Sequence, residues 1–292
     1  MIPAPFALHR PSSLAEACDL LANHGPSASV LAGGQSLIVD LKQRRKTPRL
    51  VVDLSRIGGL DTITVEPDVV TIGAMARQAT VTQTTDLVER LPLLLDVANA
   101  AADPMVRRRG TVVGACCQAA PGGDWVAGAL ALDASVLLQS VEGPREVPLT
   151  EFVVGAERTS LRPGEIARAL RIPAPSPDSV MAYLKVKHVS VGWSVASAAV
   201  ALSVDDGGAL SGARIAVSGA VTHPQRLPEL ESVLLGTDLA QHDELAHAID
   251  AALAPLEYRG DYYASPDYRR RRLAVLLRRA LTDLGSRCCT ST

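Results

Sequence analysis

The sequence predicts an α+β protein built from two or three small domains. Its 292 residues exceed what one small hydrophobic core usually holds. Strand-like and helix-like patterns follow one another without the regular alternation of a repeated βαβ unit. The proline cluster Pro173-Ala-Pro-Ser-Pro177 is the best candidate for a domain boundary.

In the N-terminal half, Ser13-Leu-Ala-Glu16 has the pattern of a capping box, so a helix is predicted from there to Gly25. Thr62–Glu66 and Val69–Ile72 are predicted to form a hairpin around Pro67-Asp68. The other predicted elements are strands at Ser29–Leu31, Leu50–Leu54, Ser135–Gln139 and Glu165–Ile172, and helices from Leu37, at Leu93–Ala102 and at Trp125–Leu132.

Beyond the proline cluster, Val195–Val204 and Ala209–Val217 are predicted as antiparallel strands, because Asp205-Asp-Gly-Gly208 lies between them. Helical patterns follow at Leu239–Leu253 and Asp267–Leu284. The arginine run Arg269–Arg272 is either a basic binding patch or, more commonly, a solvated face or an interdomain ion pair.

Composition excludes several classes of protein. The net charge of −2 gives no field that would recruit nucleic acid, and 3% aromatic residues cannot build a base-stacking platform. No apolar run is long enough to span a membrane, and the N-terminus lacks a secretory pattern, so a cytoplasmic location is expected. Four of the five cysteines form two adjacent pairs, a spacing that fits neither a disulfide framework nor an iron–sulfur or zinc site. His242 and His247 lie too far apart around a helix to share a metal ion.

Two glycine-containing loops point to the chemistry. In Val30-Leu-Ala-Gly-Gly-Gln-Ser-Leu37 an apolar run meets a glycine pair before a predicted helix, and glycines let a backbone approach a ligand closely. Backbone amides and Ser36 at such a turn suit a phosphate group. A second loop, Arg107-Arg-Arg-Gly-Thr-Val-Val-Gly114, is followed by Pro121-Gly-Gly-Asp124. Together the loops suggest a diphosphate held from two sides.

These residues resemble the flavin-binding medium subunit of molybdenum hydroxylases, the carbon monoxide dehydrogenase and xanthine dehydrogenase group. Ala32-Gly-Gly-Gln-Ser36 matches the first diphosphate loop of that family, A-G-G-x-S, and Arg107–Gly114 corresponds to the second, R-N-x-G-T-I-G-G. Further similarity occurs, in the family's order, at Phe152–Gly155, Leu161–Glu165, Ile172-Pro173, Tyr183–Lys185, Ser265–Arg269, Leu273–Leu276 and Arg279–Leu281.

The resemblance implies a two-part α/β FAD-binding domain of the PCMH type and a smaller C-terminal α+β domain with an antiparallel sheet and helices. The implied boundaries are residues 1–56 and 57–176 for the two FAD-binding subdomains, 177–286 for the C-terminal domain, and 287–292 for a tail. The implied FAD-binding residues are Ala32, Gly33, Gly34, Gln35, Ser36, Leu37, Thr111, Val112, Val113, Gly114, Gln118, Asp124, Ile166 and Lys185.

Within that set, the amides of residues 33–36 and 111–114 would hold the diphosphate, with hydrogen bonds added by the hydroxyls of Ser36 and Thr111. Asp124 would bond the ribityl chain or the ring side of the flavin, and Lys185 would lie near the polar edge of the ring, where a positive group stabilises reduced flavin. Alternatively, Asp124 caps a helix that begins at Trp125, and Lys185 is an exposed strand residue.

The sequence also departs from the family pattern. Val113 stands where the family has a glycine, and Arg108 where it has asparagine. Because valine avoids positive φ, the second loop is expected to follow a different path or to hold the diphosphate more loosely. Cys116 and Cys117 come next; thiols there are either redox-active or, more commonly, small buried side chains.

By resemblance, the chain is expected to transfer electrons. They would arrive from [2Fe-2S] clusters on a small partner subunit, pass through FAD, and leave to a quinone, NAD⁺, a cytochrome or oxygen. Substrate hydroxylation would occur on a large molybdenum-cofactor subunit. Two alternatives remain open: a stand-alone FAD-dependent oxidase or monooxygenase, and a non-catalytic assembly subunit that has lost its flavin.

Overall fold

The computed structural model describes residues 2–188, 192–205, 207–239 and 244–288. Its first part is a small parallel sheet of strand order β1-β3-β2 covered by a helix. Ser13 caps α1 as predicted, because Ser13 Oγ accepts the N–H of Glu16, and the Glu16 carboxylate accepts the N–H of Ser12, one residue before the N-cap, at 2.8 Å. The elements are β1 (Ala7–His9), α1 (Leu14–His24), β2 (Ala28–Leu31), α2 (Leu37–Lys42) and β3 (Leu50–Asp53).

A five-stranded antiparallel sheet of order β4-β5-β10-β6-β7 follows. Helices α5, α7 and α8 bury its apolar face in the largest core of the protein. The strands are β4 (Ile63–Val65), β5 (Val69–Gly73), β6 (Ser135–Ser140), β7 (Gly143–Pro148) and β10 (Ile166–Pro173), with a separate hairpin of β8 (Val153–Gly155) and β9 (Arg158–Thr159). The helices are α3 (Gln78–Val81), α4 (Thr85–Arg90), α5 (Pro92–Ala100), α6 (Pro104–Arg107), α7 (Val112–Gln118), α8 (Asp124–Ala131) and α9 (Leu149–Phe152).

The third part is an antiparallel sheet of order β11-β12-β13-β14. One face packs against α11 and α12. Small side chains such as Ala199 and Ala216 on the other face pack into the large core that contains α5 and α8. The elements are β11 (Val180–Lys187), β12 (Ser194–Val204), β13 (Leu210–Ser218), β14 (Gln225–Arg226), α10 (Pro228–Leu234), α11 (Leu245–Leu253) and α12 (Pro266–Cys288).

The predicted α+β class with an antiparallel C-terminal sheet is confirmed. The predicted helix at Leu239–Leu253 is observed from Leu245, and residues 240–243, with His242, lie outside the described residues. The boundaries at 56/57 and 176/177 stay a prediction. No helix in the described segments has the length and apolar character needed to cross a membrane.

The arginine run at the start of α12 divides into two kinds of residue. Arg269 is buried and donates to the carbonyls of Val195 and Gly219 and to the carboxylate of Asp261 at 2.6 Å. Residues 270–272 are exposed. The first arginine therefore joins parts of the C-terminal domain to one another, and the other three form a solvated face.

Candidate cofactor site

Both glycine loops line one cleft of about 440 Å³ between the parallel sheet and α7. This volume is in the range of small-molecule and cofactor sites. Of the residues expected to bind FAD, the cleft is lined by Ala32, Gly33, Gly34, Gln35, Ser36, Leu37, Thr111, Val113, Gly114, Gln118 and Ile166. Val112, Asp124 and Lys185 are not among its lining residues.

The two loops touch each other at Gly33. A Cβ atom at this position would overlap the carbonyl oxygen of Arg109 and would lie 2.8 Å from the Cα of Gly110. Because both neighbours are backbone atoms, neither can move aside as a flexible side chain would. The adjacent Gly34 has φ of +78°, a left-handed conformation that favours glycine. The glycine pair is thus required by the approach of the loops and by the turn itself.

The first loop leaves its amides available to a ligand. Among the described residues, no hydrogen bond occupies the N–H groups of residues 33–36. In the second loop, Thr111 is the N-cap of α7 and its Oγ accepts the N–H of Gly114 at 3.2 Å, while the N–H of Val112 is donated to Ala76 O. The amides of Val112 and Gly114 are thus already donated within the protein, and the expectation that all amides of residues 111–114 hold the diphosphate stays a prediction. The N–H of Val113 is still uncommitted.

Val113 lies in the second loop without backbone strain, and the expectations of a different path or a looser hold on the diphosphate stay predictions. The residue lies in the first turn of α7, and its side chain is buried in the large core. It is absent from the residues with positive φ. A helical position has negative φ, which valine adopts without strain, so the glycine of the family pattern is not needed here for its backbone freedom.

Asp124 and Lys185 form a buried ion pair with each other. Lys185 Nζ donates to Asp124 Oδ2 at 2.8 Å and to the carbonyl of Ala100, and Tyr183 Oη donates to Asp124 Oδ1 at 2.6 Å. The side chain of Asp124 is 10% exposed and that of Lys185 is 4% exposed. Burial raises the pKa of the Asp124 carboxyl, whereas the Lys185 ammonium and the Tyr183 hydroxyl oppose that rise.

Both alternative interpretations of these two residues are wrong. Helix α8 begins at Asp124 itself, with Gly123 as N-cap and no side-chain capping bond. The Asp124 carboxylate instead points to β11. Lys185 lies in the interface between the sheet of the C-terminal domain and the helices α5 and α8, so it is not an exposed strand residue.

A second cavity of about 330 Å³ lies beside the segment that joins α7 to α8. Pro121 and Gly122 line it on one side, and Trp193, Ser194 and the α12 arginine Arg269 on the other. Ser194 Oγ and Arg269 Nε are buried without a hydrogen-bond partner among the described residues. The segment that precedes Asp124 therefore has cavities at both of its ends.

Comparison with known families decides the identity. Residues 4–175, more than half of the chain, match the FAD binding domain in molybdopterin dehydrogenase, and residues 181–284 match the CO dehydrogenase flavoprotein C-terminal domain. The chain belongs to this flavoprotein family. FAD is its cofactor, and it is an FAD subunit of the molybdenum hydroxylase type.

Known relatives match this flavoprotein over nearly its whole length. The carbon monoxide dehydrogenase medium chain of Hydrogenophaga pseudoflava is 34% identical over 99% of this chain and 100% of its own. The nicotine 6-hydroxylase medium subunit of Paenarthrobacter nicotinovorans is 34% identical over 95% and 96%. A solved carbon monoxide dehydrogenase from Hydrogenophaga pseudoflava superimposes with a TM-score of 0.93 at 35% identity, covering 99% of this chain and 100% of that one.

Sequence reasoning missed Lys46 and most of one wall of the flavoprotein's cleft, in which only Ile166 was predicted to bind FAD. Lys46 lines the cleft, and its ammonium is 3.9 Å from the Asp40 carboxylate. The wall is the segment 161–167, which Glu165 fixes by accepting bonds from the Arg145 guanidinium and from the N–H of Arg162 at 2.7 Å. The basic triplet Arg44-Arg-Lys46 was the only sequence signal for a cation here.

The two cysteines of α7 have the environment of unreactive thiols. Cys116 is fully buried, and Cys117 lines the cleft. Burial raises the pKa of Cys117 to about 12 and also raises that of Cys116. The thiolate is the reactive form, and both groups stay protonated at neutral pH. Of the two expectations, the structure favours a small buried side chain for Cys116, whereas Cys117 is half-buried at the cleft and has a raised pKa.

We therefore expect slow alkylation of these thiols. At about pH 7.5, iodoacetamide should modify Cys116 and Cys117 of the folded flavoprotein at least about 100-fold more slowly than a free cysteine, because the thiolate fraction is small. Peptide mass spectrometry after timed labelling measures the rate for each residue, and labelling in denaturant is the control. Equal rates in the folded and denatured protein would contradict the assignment.

Proposed function

We propose that this chain carries electrons within a molybdenum-dependent hydroxylase or dehydrogenase. It would receive them from [2Fe-2S] clusters of a small partner subunit and pass them through FAD to a quinone, NAD⁺, a cytochrome or oxygen. A large partner subunit with the molybdenum cofactor would hydroxylate the substrate, and the complex would work in the cytoplasm. The observation that carries the proposal is the cleft in which uncommitted amides of one glycine loop face the second loop.

The cleft fits FAD at its charged middle. The free N–H groups of residues 33–36 and of Val113 would bind the diphosphate oxygens, since backbone amides in such turns are anion-binding groups. Lys46 adds a positive charge to the same cleft. Leu21, Leu54 and Ile166 provide apolar lining against which a planar ring can pack. When bound, FAD supplies redox chemistry in steps of one or two electrons.

Asp124 and Lys185 would act on the flavin-ring side of the bound cofactor. The pair is held by Tyr183 and by the carbonyl of Ala100, so its geometry is fixed before any ligand arrives. Preorganised charges stabilise developing charge without the cost of reorganising. Lys185 would stabilise negative charge on the reduced ring, and Asp124 would accept hydrogen bonds from the ribityl chain.

The chemistry of this chain supports dependence on partners. Its cysteines lack the spacing of an iron–sulfur site, so electrons need another protein to reach it. The names of its relatives describe medium chains or subunits, and their stated substrates range from carbon monoxide to nicotine. One flavoprotein scaffold serving such different substrates favours substrate recognition on another chain. These points argue against the stand-alone oxidase, and the intact cleft argues against an assembly subunit without flavin.

Purification of the native complex tests the proposal. The chain should copurify with a molybdenum-containing and an iron–sulfur polypeptide, with about one FAD per copy, and substrate should bleach the flavin absorbance under anaerobic conditions. The separated chain should retain FAD and be reduced by dithionite but not by the substrate. A single polypeptide that oxidises an organic substrate unaided would overturn the proposal in favour of the oxidase.

A further inference from the structure

A chain of buried polar side chains crosses the interface between the FAD-binding part and the C-terminal sheet. It begins at the Lys185–Asp124 pair and continues through the Tyr183 hydroxyl. Ser197 and Ser218 lie beside it on the neighbouring strands β12 and β13, and their hydroxyls hydrogen-bond each other at 2.6 Å. Both serines are completely buried.

The strand register explains why these side chains meet. Lys185 pairs with Ser197 across β11 and β12, and Ser197 pairs with Ser218 across β12 and β13. Tyr183 lies two residues from Lys185 and therefore on the same face of the sheet. The rest of that face is apolar, with Met181, Ala199 and Ala216 in the large core.

Stability alone does not account for these buried polar side chains. Buried ion pairs contribute little net stability and are often replaceable by apolar side chains, and an apolar surface would join these two layers equally well. These polar side chains fix the position and the charge of one carboxylate, that of Asp124. That carboxylate begins α8, directly after the segment 118–122, whose Gln118 lines the FAD cleft and whose Pro121 and Gly122 line the second cavity.

We propose that Tyr183 is a positioning residue for the cofactor site: its hydroxyl fixes the Asp124 carboxylate so that Asp124 and Lys185 present one preset arrangement to FAD. The inference rests on the proposed function, in which these two residues act on the bound cofactor. A second contact holds the segment that precedes Asp124. The N–H of Gly219 donates to the carbonyl of Pro121 at 2.7 Å and so joins this segment to the C-terminal sheet.

Few other charges lie near these buried polar side chains. Asp96 on α5 lies close to the backbone N–H of Tyr183, and Arg287 on α12 acts on Asp96 through space. Neither lies among the hydrogen-bond partners of Asp124, which are Tyr183 and Lys185. Loss of the Tyr183 hydroxyl removes one of the two donors that keep Asp124 ionised, so the pKa of this carboxyl rises further.

The test is Tyr183→Phe in the full-length chain, with FAD affinity measured by titration across a pH series. We expect affinity about tenfold lower at about pH 7, since a hydrogen bond to a charged group is lost. Acidification should weaken FAD binding in both proteins as Asp124 takes up a proton, and the midpoint of that loss should lie at higher pH in the variant. The difference in FAD affinity between the variant and the wild type should become smaller as the pH rises.

Tyr258→Phe is the matched control. Tyr258 donates to Leu253 O at 2.7 Å within the C-terminal domain, so its removal costs a comparable bond without touching Asp124. It should leave both affinity and midpoint unchanged. In an Asp124→Asn background, Tyr183→Phe should have no further effect if it acts through Asp124. Should Tyr183→Phe fail to fold, Asp124→Asn alone should weaken FAD binding and remove its pH dependence, and an Asp124→Asn variant with the affinity and pH dependence of the wild type would overturn the proposal.

The outcomes separate the two proposals. Wild-type chain that binds no FAD overturns the proposed function. Wild-type chain that binds FAD, with a Tyr183→Phe variant of equal affinity and midpoint, overturns only the positioning role. Two further results also overturn the positioning role: an FAD affinity of Tyr183→Phe that is lower by the same factor at every pH, and an effect of Tyr183→Phe that adds to that of Asp124→Asn. Loss of structure alone would give either result.

Discussion

Gly33→Ala should yield a nearly colourless protein. The added Cβ would overlap the carbonyl of Arg109 and crowd the Cα of Gly110, so one loop must move away from the other. That shift displaces the free amides of residues 34–36 from the second loop. We expect FAD affinity to fall on the order of 100-fold, about 2.7 kcal/mol. The ratio of flavin to protein absorbance after purification, followed by calorimetric titration with FAD, measures the loss.

Gly58→Ala is the control for Gly33→Ala. A Cβ at Gly58 meets no atom within 4 Å, and the residue has no positive φ. It should retain its flavin and bind FAD as the wild type does. Unchanged affinity in Gly33→Ala would show that the two loops do not hold the diphosphate together, and the proposed placement of FAD would then fail.

The features predicted correctly from sequence are those that local chemistry determines. The helix cap at Ser13, the hairpin around Pro67-Asp68 and the glycine pair at Gly33 each depend on residues within one turn of the chain. The position of both loops in one cleft followed from their resemblance to a known order of motifs. It could not have been derived from either loop alone, because a glycine-rich turn has no sequence signal for its distant neighbour.

The features that were missed depend on contacts far along the chain. Strand β1 has an exposed surface pattern, and it becomes a strand because β3, which is 43 residues further on, offers a free edge. Lys46 reaches the cleft after the chain reverses at Arg44, which has φ of +58°. The environment of Val113 was also not foreseen: a glycine in a family pattern was interpreted as a need for positive φ, whereas the position in this chain is helical and buried.

The ion pair between Asp124 and Lys185 also escaped prediction, since its members are 61 residues apart. Each was assigned a role toward the flavin, and neither was expected to be the partner of the other. The pair means that Lys185 helps to keep Asp124 charged in a site from which water is largely excluded. Removal of one partner therefore affects folding as well as cofactor chemistry.

Lys185→Met should destabilise the protein strongly. Methionine preserves length and apolar contact, but it leaves the buried Asp124 carboxylate without its cation. Breaking a buried pair in this way costs about 3–5 kcal/mol, and we expect a decrease of that size in the free energy of unfolding at about pH 8. Urea unfolding of protein freed of FAD measures it, so that ligand binding does not contribute to the difference. Lys187→Met, at an exposed position of the same strand, is the control and should change stability by less than about 0.5 kcal/mol.

The pH dependence of this loss has a definite sign. Without Lys185, burial raises the pKa of Asp124 in the folded protein above the value of 3.8 expected for the unfolded chain. The folded protein then binds a proton more tightly than the unfolded chain, so the penalty is absent below the unfolded pKa and grows as the pH rises through the folded one. The difference in stability between Lys185→Met and wild type should therefore be smallest in acid and largest above neutrality. Asp124→Asn combined with Lys185→Met should recover most of the loss and remove its pH dependence, because no carboxylate is left to ionise. A difference that stays constant across the pH series would mean that Lys185 stabilises the interface by packing, and that the charge of Asp124 plays no part in it.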